Sequence, residues 1–213
     1  MEGSPRATEP GSGAEPRFDS FPGRQRFKGL GELTPGELAS LLDTRQPVTD
    51  AQYALAERAW VAFRAPDPRQ LEDLLRTDSS ALPFFAPALQ RHLEEFPSTV
   101  DGLSRTERRV LELAESGPVD LRVAFPRMHD FETAFYIADL SFWGLVQGLA
   151  AASPPLIALD VKSNASRGLP QGTISLTETG RAVLRGMTDR VRECGLDRWL
   201  GGVHLEGSET MWR

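Results

Sequence analysis

The segment from residue 197 to residue 205 concentrates the side chains whose types could do chemistry together. It reads Asp197-Arg198-Trp199-Leu200-Gly201-Gly202-Val203-His204-Leu205. One interpretation is a small polar site, in which Asp197 orients Arg198 and Gly202 admits a ligand to His204. The other is structural: Trp199 fills the edge of a core, the Asp–Arg pair fixes the segment, and the diglycine makes a turn. We predict the structural role, because nothing else in the sequence supplies the complementary polar groups that a site requires.

A second aromatic segment, DLSFW (139–143), has the same two interpretations. Asp139 and Trp143 could belong to a ligand or partner site. An N-terminal helix cap at Asp139 and a core aromatic at Trp143 account for both residues. The sequence therefore predicts structural roles for both.

Metal binding and nucleophilic catalysis have little support in the residue spacing. The three histidines, His92, His129 and His204, lie in separate segments without HExxH or CxxC pairing, so we expect no metal site. No serine lies in a GxSxG motif, and no glycine-rich stretch continues into Gly-Lys-Ser/Thr, so we expect no cofactor and assign no catalytic residue. We expect the lone Cys194 to be a packing residue. An enzyme of unknown reaction, with its site between Asp197 and His204, stays a third hypothesis behind two binding functions.

Composition limits the classes to which the protein can belong. Its 213 residues suffice for one large domain or two small ones, and its net charge of −6 opposes a role built mainly on neutralising phosphates. A single cysteine excludes a disulfide within the chain and favours a reducing compartment. The sequence holds no apolar run near the ~20 residues of a membrane helix. Its first residues, MEGSPR, lack the apolar core of a secretory signal. We therefore expect a cytoplasmic protein that does not bind membranes.

Four segments are predicted along the chain. Residues 1–17 are rich in Gly, Pro, Ser and Glu and should be disordered. Residues 18–100 should form a helical domain. Residues 101–190 should form a winged-helix-like domain, and residues 191–213 a C-terminal segment that packs on the body. The predicted fold class is mainly α, of the α+β type, with a small β-hairpin.

Capping signals indicate where the helices of residues 18–100 begin. Thr34, Thr49 and Asp67 each precede an apolar helical pattern, and Pro83 opens a fourth helix. One face of the helix after Thr49 is predicted to be core, and it carries Tyr53, Leu55, Ala56, Ala59, Trp60 and Phe63.

The helices of residues 101–190 follow the order of a winged helix-turn-helix. A capping box at Ser104 begins the first, a weaker second one covers 121–128, and the third covers 139–152. Thr177 is predicted to cap a closing helix that continues to Val191.

Two β-like runs complete the winged-helix pattern. They are LIALDV (156–161) and TISL (173–176), and we expect them to pair antiparallel. The loop between them, 162–172, would be the wing. LTETG (176–180) is typical of the junction between a wing strand and a closing helix, which places the winged helix within 104–185.

Several long blocks of sequence together resemble a bacterial family. They are FPGRQRFKGLGELTPGELASLLDTRQPVT (21–49), AERAWVAFRAPDP (56–68), ALQRHLEEFPSTVDGLSRTE (88–107), DLSFW (139–143) and DRWLGGVHL (197–205). From about residue 18 to residue 212 the chain resembles the domain-of-unknown-function family numbered 1835, with helical and C-terminal parts similar to the companion family numbered 3658. That family has no established activity, so the resemblance implies no function.

The chain departs from the family pattern at two places. Relatives usually carry an N-terminal α/β segment that leads into FPG, and MEGSPRATEPGSGAEPR stands there instead. Relatives commonly have Gly-Asp where this chain has Ala138-Asp139. A ligand pocket located in the α/β segment would therefore be missing here.

Nucleic-acid binding and protein binding are the two leading functions. In a winged helix the third helix enters the major groove, yet residues 139–152 contain no Lys or Arg and only Gln147 to read a base edge. The cations that could contact phosphates are Arg105, Arg108, Arg109, Lys162 and Arg167. They belong to an acidic chain, so DNA binding is disfavoured. The sequence favours a non-catalytic protein-interaction or regulatory module whose partner is another protein.

Overall fold

The computed structural model describes residues 29–130, 132, 137–163 and 168–213, and the chain divides into two compact units, Met1–Pro47 and Val48–Arg213. The predicted disorder of residues 1–17 lies outside the described residues. The predicted boundaries near residues 100 and 190 stay predictions.

The described part of the first unit contains one short helix, α1 (Pro35–Ser40). Thr34 caps it as predicted, because its side chain accepts a hydrogen bond from the Glu37 amide while the Glu37 carboxylate accepts from the Thr34 amide. A 3₁₀ turn lies on each side of α1, at Leu30–Glu32 and at Leu42–Thr44.

Three helices begin the second unit and share a small core. They are α2 (Asp50–Phe63), α3 (Arg69–Leu75) and α4 (Phe85–Leu93). The capping box predicted at Thr49 is present. The starts predicted at Asp67 and Pro83 are displaced toward the C-terminus, because the N-cap positions are occupied by Pro68 and Phe84. The buried apolar residues of this core are Ala62, Leu71, Leu74 and Leu89.

The predicted core face of α2 is wrong in part. Leu55 and Ala62 are the buried residues of this helix, whereas Tyr53 and Trp60 are exposed. Trp60 precedes Ala62 by two residues, which places it about 200° away around the helix axis. A helix that buries Ala62 therefore turns Trp60 toward solvent.

The middle of the second unit combines helices with a three-stranded sheet. The elements are α5 (Arg105–Leu113), β1 (Val119–Asp120), α6 (Leu121–His129), α7 (Asp139–Ala151), β2 (Ile157–Ser163), β3 (Gln171–Leu176) and α8 (Glu178–Leu184). The strand order is β1–β3–β2 and every pairing is antiparallel. Their central core contains fully buried Val110, Leu111, Leu121, Phe142, Val146, Leu156 and Ile174.

Two of the strands match the predicted β-like runs. Ile157 lies opposite Leu176 and Asp160 opposite Thr173, so the predicted antiparallel pairing is present. The sequence did not indicate β1, which is only two residues long. Residues 164–167 of the predicted wing loop lie outside the described residues.

The chain ends in a short helix and a hairpin, neither of which was predicted. They are α9 (Arg190–Cys194), β4 (Leu196–Leu200) and β5 (Val203–Gly207), with β4 antiparallel to β5. The predicted continuation of α8 to Val191 is wrong, because Gly186 adopts a φ of 68° and Asp189 starts a new helix. The Asp189 carboxylate accepts hydrogen bonds from the amides of Val191 and Arg192.

The second unit is thus a mixed α+β structure with two small antiparallel sheets in its described part. None of the helices that the structure describes combines the length and the apolar character needed to cross a membrane.

Candidate functional site

The β4–β5 hairpin has one buried face and one exposed face. Leu196, Val203 and Leu205 point inward and pack with Phe96 and Val191 in a separate small core. Strand side chains alternate between faces, so the residues between these point outward. The outward residues are Asp197, Trp199, His204 and Glu206, and we call them the outer hairpin face.

Trp199 and His204 form a stacked pair on the outer hairpin face. They lie opposite each other in the strand register, with ring centroids 4.4 Å apart and ring planes 1° from parallel. Trp199 is 63% exposed, so its predicted role as a core plug is wrong. The inward positions of the hairpin are occupied by Leu196, Val203 and Leu205, which leaves Trp199 to solvent.

His204 is held in place by an acidic neighbour. Its Nε2 lies 2.8 Å from Asp197 Oδ1, and its Nδ1 lies 3.8 Å from Glu206 Oε2. The imidazole is therefore fixed between two carboxylates and against the Trp199 ring. The sequence interpretation also placed Asp197 and His204 in one site. It paired Asp197 with Arg198, however, whereas the structure pairs Asp197 with His204.

Arg198 points to the opposite face and does not pair with Asp197. Its Nη2 donates to the Glu95 carbonyl oxygen at 2.7 Å, and its Nη1 lies 3.7 Å from Glu107 Oε1. Adjacent residues of a strand point to opposite faces, so the predicted Asp–Arg pair is wrong. Arg198 instead connects the hairpin to Glu95, which follows α4, and to Glu107 in α5.

Gly201 and Gly202 make the predicted turn and also meet α2. The Gly202 amide donates to the Phe63 carbonyl oxygen at 2.8 Å. A Cβ atom on Gly202 would lie 2.0 Å from the Arg64 carbonyl oxygen, and one on Gly201 would lie 2.3 Å from the Phe63 carbonyl oxygen. The backbone at the end of α2 therefore occupies the space that a ligand would need beside Gly202. The two glycines allow the hairpin turn to pack closely against this end of α2.

A second exposed tryptophan lies at the same junction. Trp60 is 58% exposed and stacks on Phe63, with ring centroids 5.9 Å apart. The Arg64 guanidinium lies 5.6 Å from the centre of the Trp60 ring. Trp60 precedes Phe63, whose carbonyl oxygen binds the Gly202 amide, by three residues, and Trp199 precedes Gly202 by three residues, so each tryptophan lies next to this contact along its own element. We call Trp60, Arg64, Trp199 and His204 the tryptophan surface.

The sequence did not reveal the tryptophan surface, because it assigned Trp60 and Trp199 to cores. Alternation within DRWLGGVHL was the signal that could have placed Trp199 outward: Leu200, Val203 and Leu205 are apolar, with Gly201-Gly202 as a two-residue turn.

His92 lies between two phenylalanine rings, one of which, Phe63, also stacks on Trp60. The His92 ring is 5.3 Å from the Phe63 ring and 6.2 Å from the Phe96 ring. Its Nε2 is buried and has no hydrogen-bond partner among the described residues. Burial lowers the pKa of His92 below its ordinary value, against the opposing effect of the Glu95 carboxylate.

This lowered pKa predicts a loss of stability in mild acid. The unfolded chain takes up a proton at His92 at a pH of about 6.5, whereas the folded chain takes it up only at lower pH. The free energy of unfolding should therefore fall as the pH drops below about 6.5 and level off below the folded pKa. His92→Leu should remove this part of the decrease, measured by urea unfolding at pH 7.5 and 5.5. His92→Gln, which is also neutral, should match His92→Leu; a decrease unchanged from wild type in both variants would contradict the assignment.

Asp139 and Trp143 lie in the first turns of α7. The N-cap is Ala138 rather than Asp139, so the predicted cap is displaced by one residue. The Asp139 carboxylate instead accepts a hydrogen bond from the Leu140 amide at 2.8 Å, inside the first turn. Trp143 is half-buried and packs against the central core.

Three of the arginines that could contact phosphates if the protein bound DNA form ion pairs within the chain. Arg105 pairs with Glu94 at 2.6 Å and with Glu132 at 3.1 Å. Arg108 pairs with Asp101, and Arg109 pairs with Glu112. Lys162 is exposed on β2. Arg167 lies outside the described residues.

The described part of the chain contains neither a cluster of metal ligands nor an activated thiol. No group of three or more His, Cys, Asp or Glu side chains there is placed to hold a metal ion. Cys194 is half-buried against the central core, and burial raises the pKa of its thiol. A raised thiol pKa lowers the fraction of reactive thiolate.

The geometry therefore singles out the tryptophan surface as the candidate functional site. The resemblance to the families numbered 1835 and 3658 stays a prediction. No protein family, curated protein or solved structure was found to match the chain.

Proposed function

We propose that this protein is a non-catalytic protein-binding module that contacts its partner through the tryptophan surface. The observation that carries the proposal is that Trp60 and Trp199 are each more than half exposed and each lie within three residues of the hydrogen bond between Gly202 and Phe63. Tryptophan is enriched among the residues that dominate binding energy at protein interfaces. Large exposed aromatic side chains gain free energy when a partner covers them.

The rings of the tryptophan surface are also held in fixed orientations. Phe63 supports the Trp60 ring and His204 supports the Trp199 ring. Side chains ordered before binding lose less conformational entropy when the partner arrives. This arrangement favours a binding role over a chance exposure of two large side chains.

We further propose that α5, α6, α7, β2 and β3 form a winged helix that serves as a scaffold. Their order along the chain and the antiparallel β2–β3 pair support this proposal. The exposed side of α7 carries no cation and consists of Leu140, Ser141, Gly144, Gln147, Gly148 and Ala151. A helix surface of this composition is poorly suited to the major groove. DNA binding by a winged-helix regulator is accordingly the less favoured alternative.

The proposal predicts that Trp199→Ala removes partner binding and leaves the fold intact. The exposed Trp199–His204 stack should contribute only about 0.5–1.5 kcal/mol to the free energy of unfolding. Wild type and Trp199→Ala would be compared by cross-linking in cells and quantitative mass spectrometry, with urea unfolding as the stability measurement. The proteins cross-linked by wild type should be lost from the variant.

Met187→Ala provides the matched control, because Met187 is an exposed apolar residue between α8 and α9. It should retain the wild-type set of cross-linked proteins. A set unchanged by both Trp60→Ala and Trp199→Ala would contradict the proposal. Sequence-dependent DNA binding at physiological salt would favour the regulator instead.

A further inference from the structure

The outer hairpin face places two carboxylates opposite each other. Asp197 and Glu206 are direct neighbours in the strand register, and their side chains are 82% and 75% exposed. Like charges directly opposite in a sheet lower its stability. Both carboxylates contact His204 and still remain largely exposed, so the arrangement favours a further cation that would lie against their exposed sides.

The Trp199 ring lies on the same face and also favours a cation. The face of an indole ring carries negative potential and attracts ammonium and guanidinium groups. His204 stacks on one side of this ring and is itself fixed by Asp197. The protein already uses this contact at Trp60, where the Arg64 guanidinium lies 5.6 Å from the ring centre.

A planar guanidinium fits these features better than an ammonium group. It can stack on an aromatic ring and donate two parallel hydrogen bonds to a carboxylate at once. Asp197 and Glu206 supply the acceptors and Trp199 supplies the ring. Lysine offers a point charge without the flat surface.

We infer that the partner binds the outer hairpin face through a basic segment that presents arginine. This inference rests on the proposed protein-binding function and adds the chemistry of the partner. Asp197 and Glu206 attract the segment, and Trp199 stacks on the guanidinium of its arginine.

The test uses the full chain and short synthetic peptides as probes. An acetylated, amidated peptide of alternating Arg and Gly would be titrated against wild type, with binding followed by calorimetry and tryptophan fluorescence. Peptides with Lys or Glu in place of Arg would be titrated in parallel. We expect the Arg peptide to bind most tightly, and its affinity to fall as salt is raised.

The decisive variant is Asp197→Asn with Glu206→Gln, which removes both charges and keeps similar shapes. Asn retains an oxygen that can accept from His204. We expect this double variant to bind the Arg peptide roughly fivefold or more weakly, as the loss of two exposed ion pairs implies. Asp160→Asn with Glu115→Gln makes the same change in net charge at exposed residues elsewhere and should bind like wild type.

The outcomes separate this inference from the proposed function. Equal binding of the Arg peptide by wild type and by the Asp197/Glu206 variant would overturn the inference, as would preference for the Glu peptide. Cellular partners lost by Trp199→Ala but kept by the Asp197/Glu206 variant would overturn the inference alone and leave the protein-binding function in place. Partners kept by both Trp199→Ala and Trp60→Ala would instead overturn the protein-binding function.

Discussion

Replacing Arg91 with methionine is expected to lower the free energy of unfolding by about 3–5 kcal/mol. The Arg91 side chain is nearly buried between two carboxylates that are also nearly buried. Its Nη1 lies 2.6 Å from Glu95 Oε1, its Nη2 lies 3.0 Å from Glu132 Oε1, and it also donates to Thr106 Oγ1. Methionine would fill much of the space but leave both carboxylates without this cation.

An exposed ion pair provides the control for the Arg91 prediction. Arg76 pairs with Asp73 at 2.8 Å, and both side chains are largely exposed. Arg76→Met should therefore change the free energy of unfolding by no more than ~0.5 kcal/mol. Both variants would be measured by urea unfolding at pH 7.5. A loss below ~1 kcal/mol for Arg91→Met would show that the two carboxylates are compensated without Arg91, by water or, at Glu132, by Arg105.

Combining the Arg91 variant with neutral partners tests the cause of the loss. In the triple variant Arg91→Met, Glu95→Gln and Glu132→Gln, no buried charge is left uncompensated. Stability should recover in part, because neutralising the two buried carboxylates together with Arg91 costs less than removing Arg91 alone, and Arg105 keeps its pair with Glu94. No recovery would mean that packing of the Arg91 stem, rather than its charge, stabilises this region.

Gly202→Ala is the second substitution expected to have a large effect. The added Cβ would lie 2.0 Å from the Arg64 carbonyl oxygen and 2.3 Å from the Arg64 carbonyl carbon. Backbone atoms cannot move aside as a flexible side chain can, so the hairpin must shift away from the end of α2. The hydrogen bond from the Gly202 amide to Phe63 would be lost as well. We expect a loss near or above the upper end of the ~1–3 kcal/mol range typical of overpacking.

Gly148→Ala is the matched control for the added methyl group. Gly148 lies in α7, and a Cβ there would meet no atom within 4 Å. Alanine favours helix over glycine, so this variant should gain about 0.5–1 kcal/mol. Urea unfolding of both variants would check the pair, and near-ultraviolet circular dichroism would report the environment of the tryptophans. Gly202→Ala within ~0.5 kcal/mol of wild type would contradict the close approach of hairpin and helix.

Features that depend on a few neighbouring residues could be predicted from the sequence. The capping boxes at Thr34, Thr49 and Ser104 are each complete within four residues, and all three are present. The β2–β3 pair was also predicted, because apolar runs on both sides of a glycine-containing loop specify a hairpin locally. Both the capping boxes and this hairpin are specified by nearby residues, so they can be predicted without knowing how the rest of the chain folds.

The candidate site depends on tertiary contacts, which no short stretch of sequence specifies. Arg198 could be paired with Asp197 on sequence alone, yet its partner is the carbonyl oxygen of Glu95, 103 positions away. The exposure of Trp60 depends on which side of α2 meets α3 and α4. Trp199 contains as much apolar surface as a core residue, and only the strand register places it outside. Tertiary packing decides these positions.

The attachment of the hairpin to α2 and to the end of α4 has a consequence for biosynthesis. The ribosome makes Phe63 and Glu95 long before it makes Gly202 and Arg198, which bind their carbonyl oxygens. Until the hairpin has emerged, the apolar surface at Phe96 that it covers is open to water and to other nascent chains. The interval between synthesis of α4 and synthesis of the hairpin is therefore when a chaperone would protect this surface from aggregation.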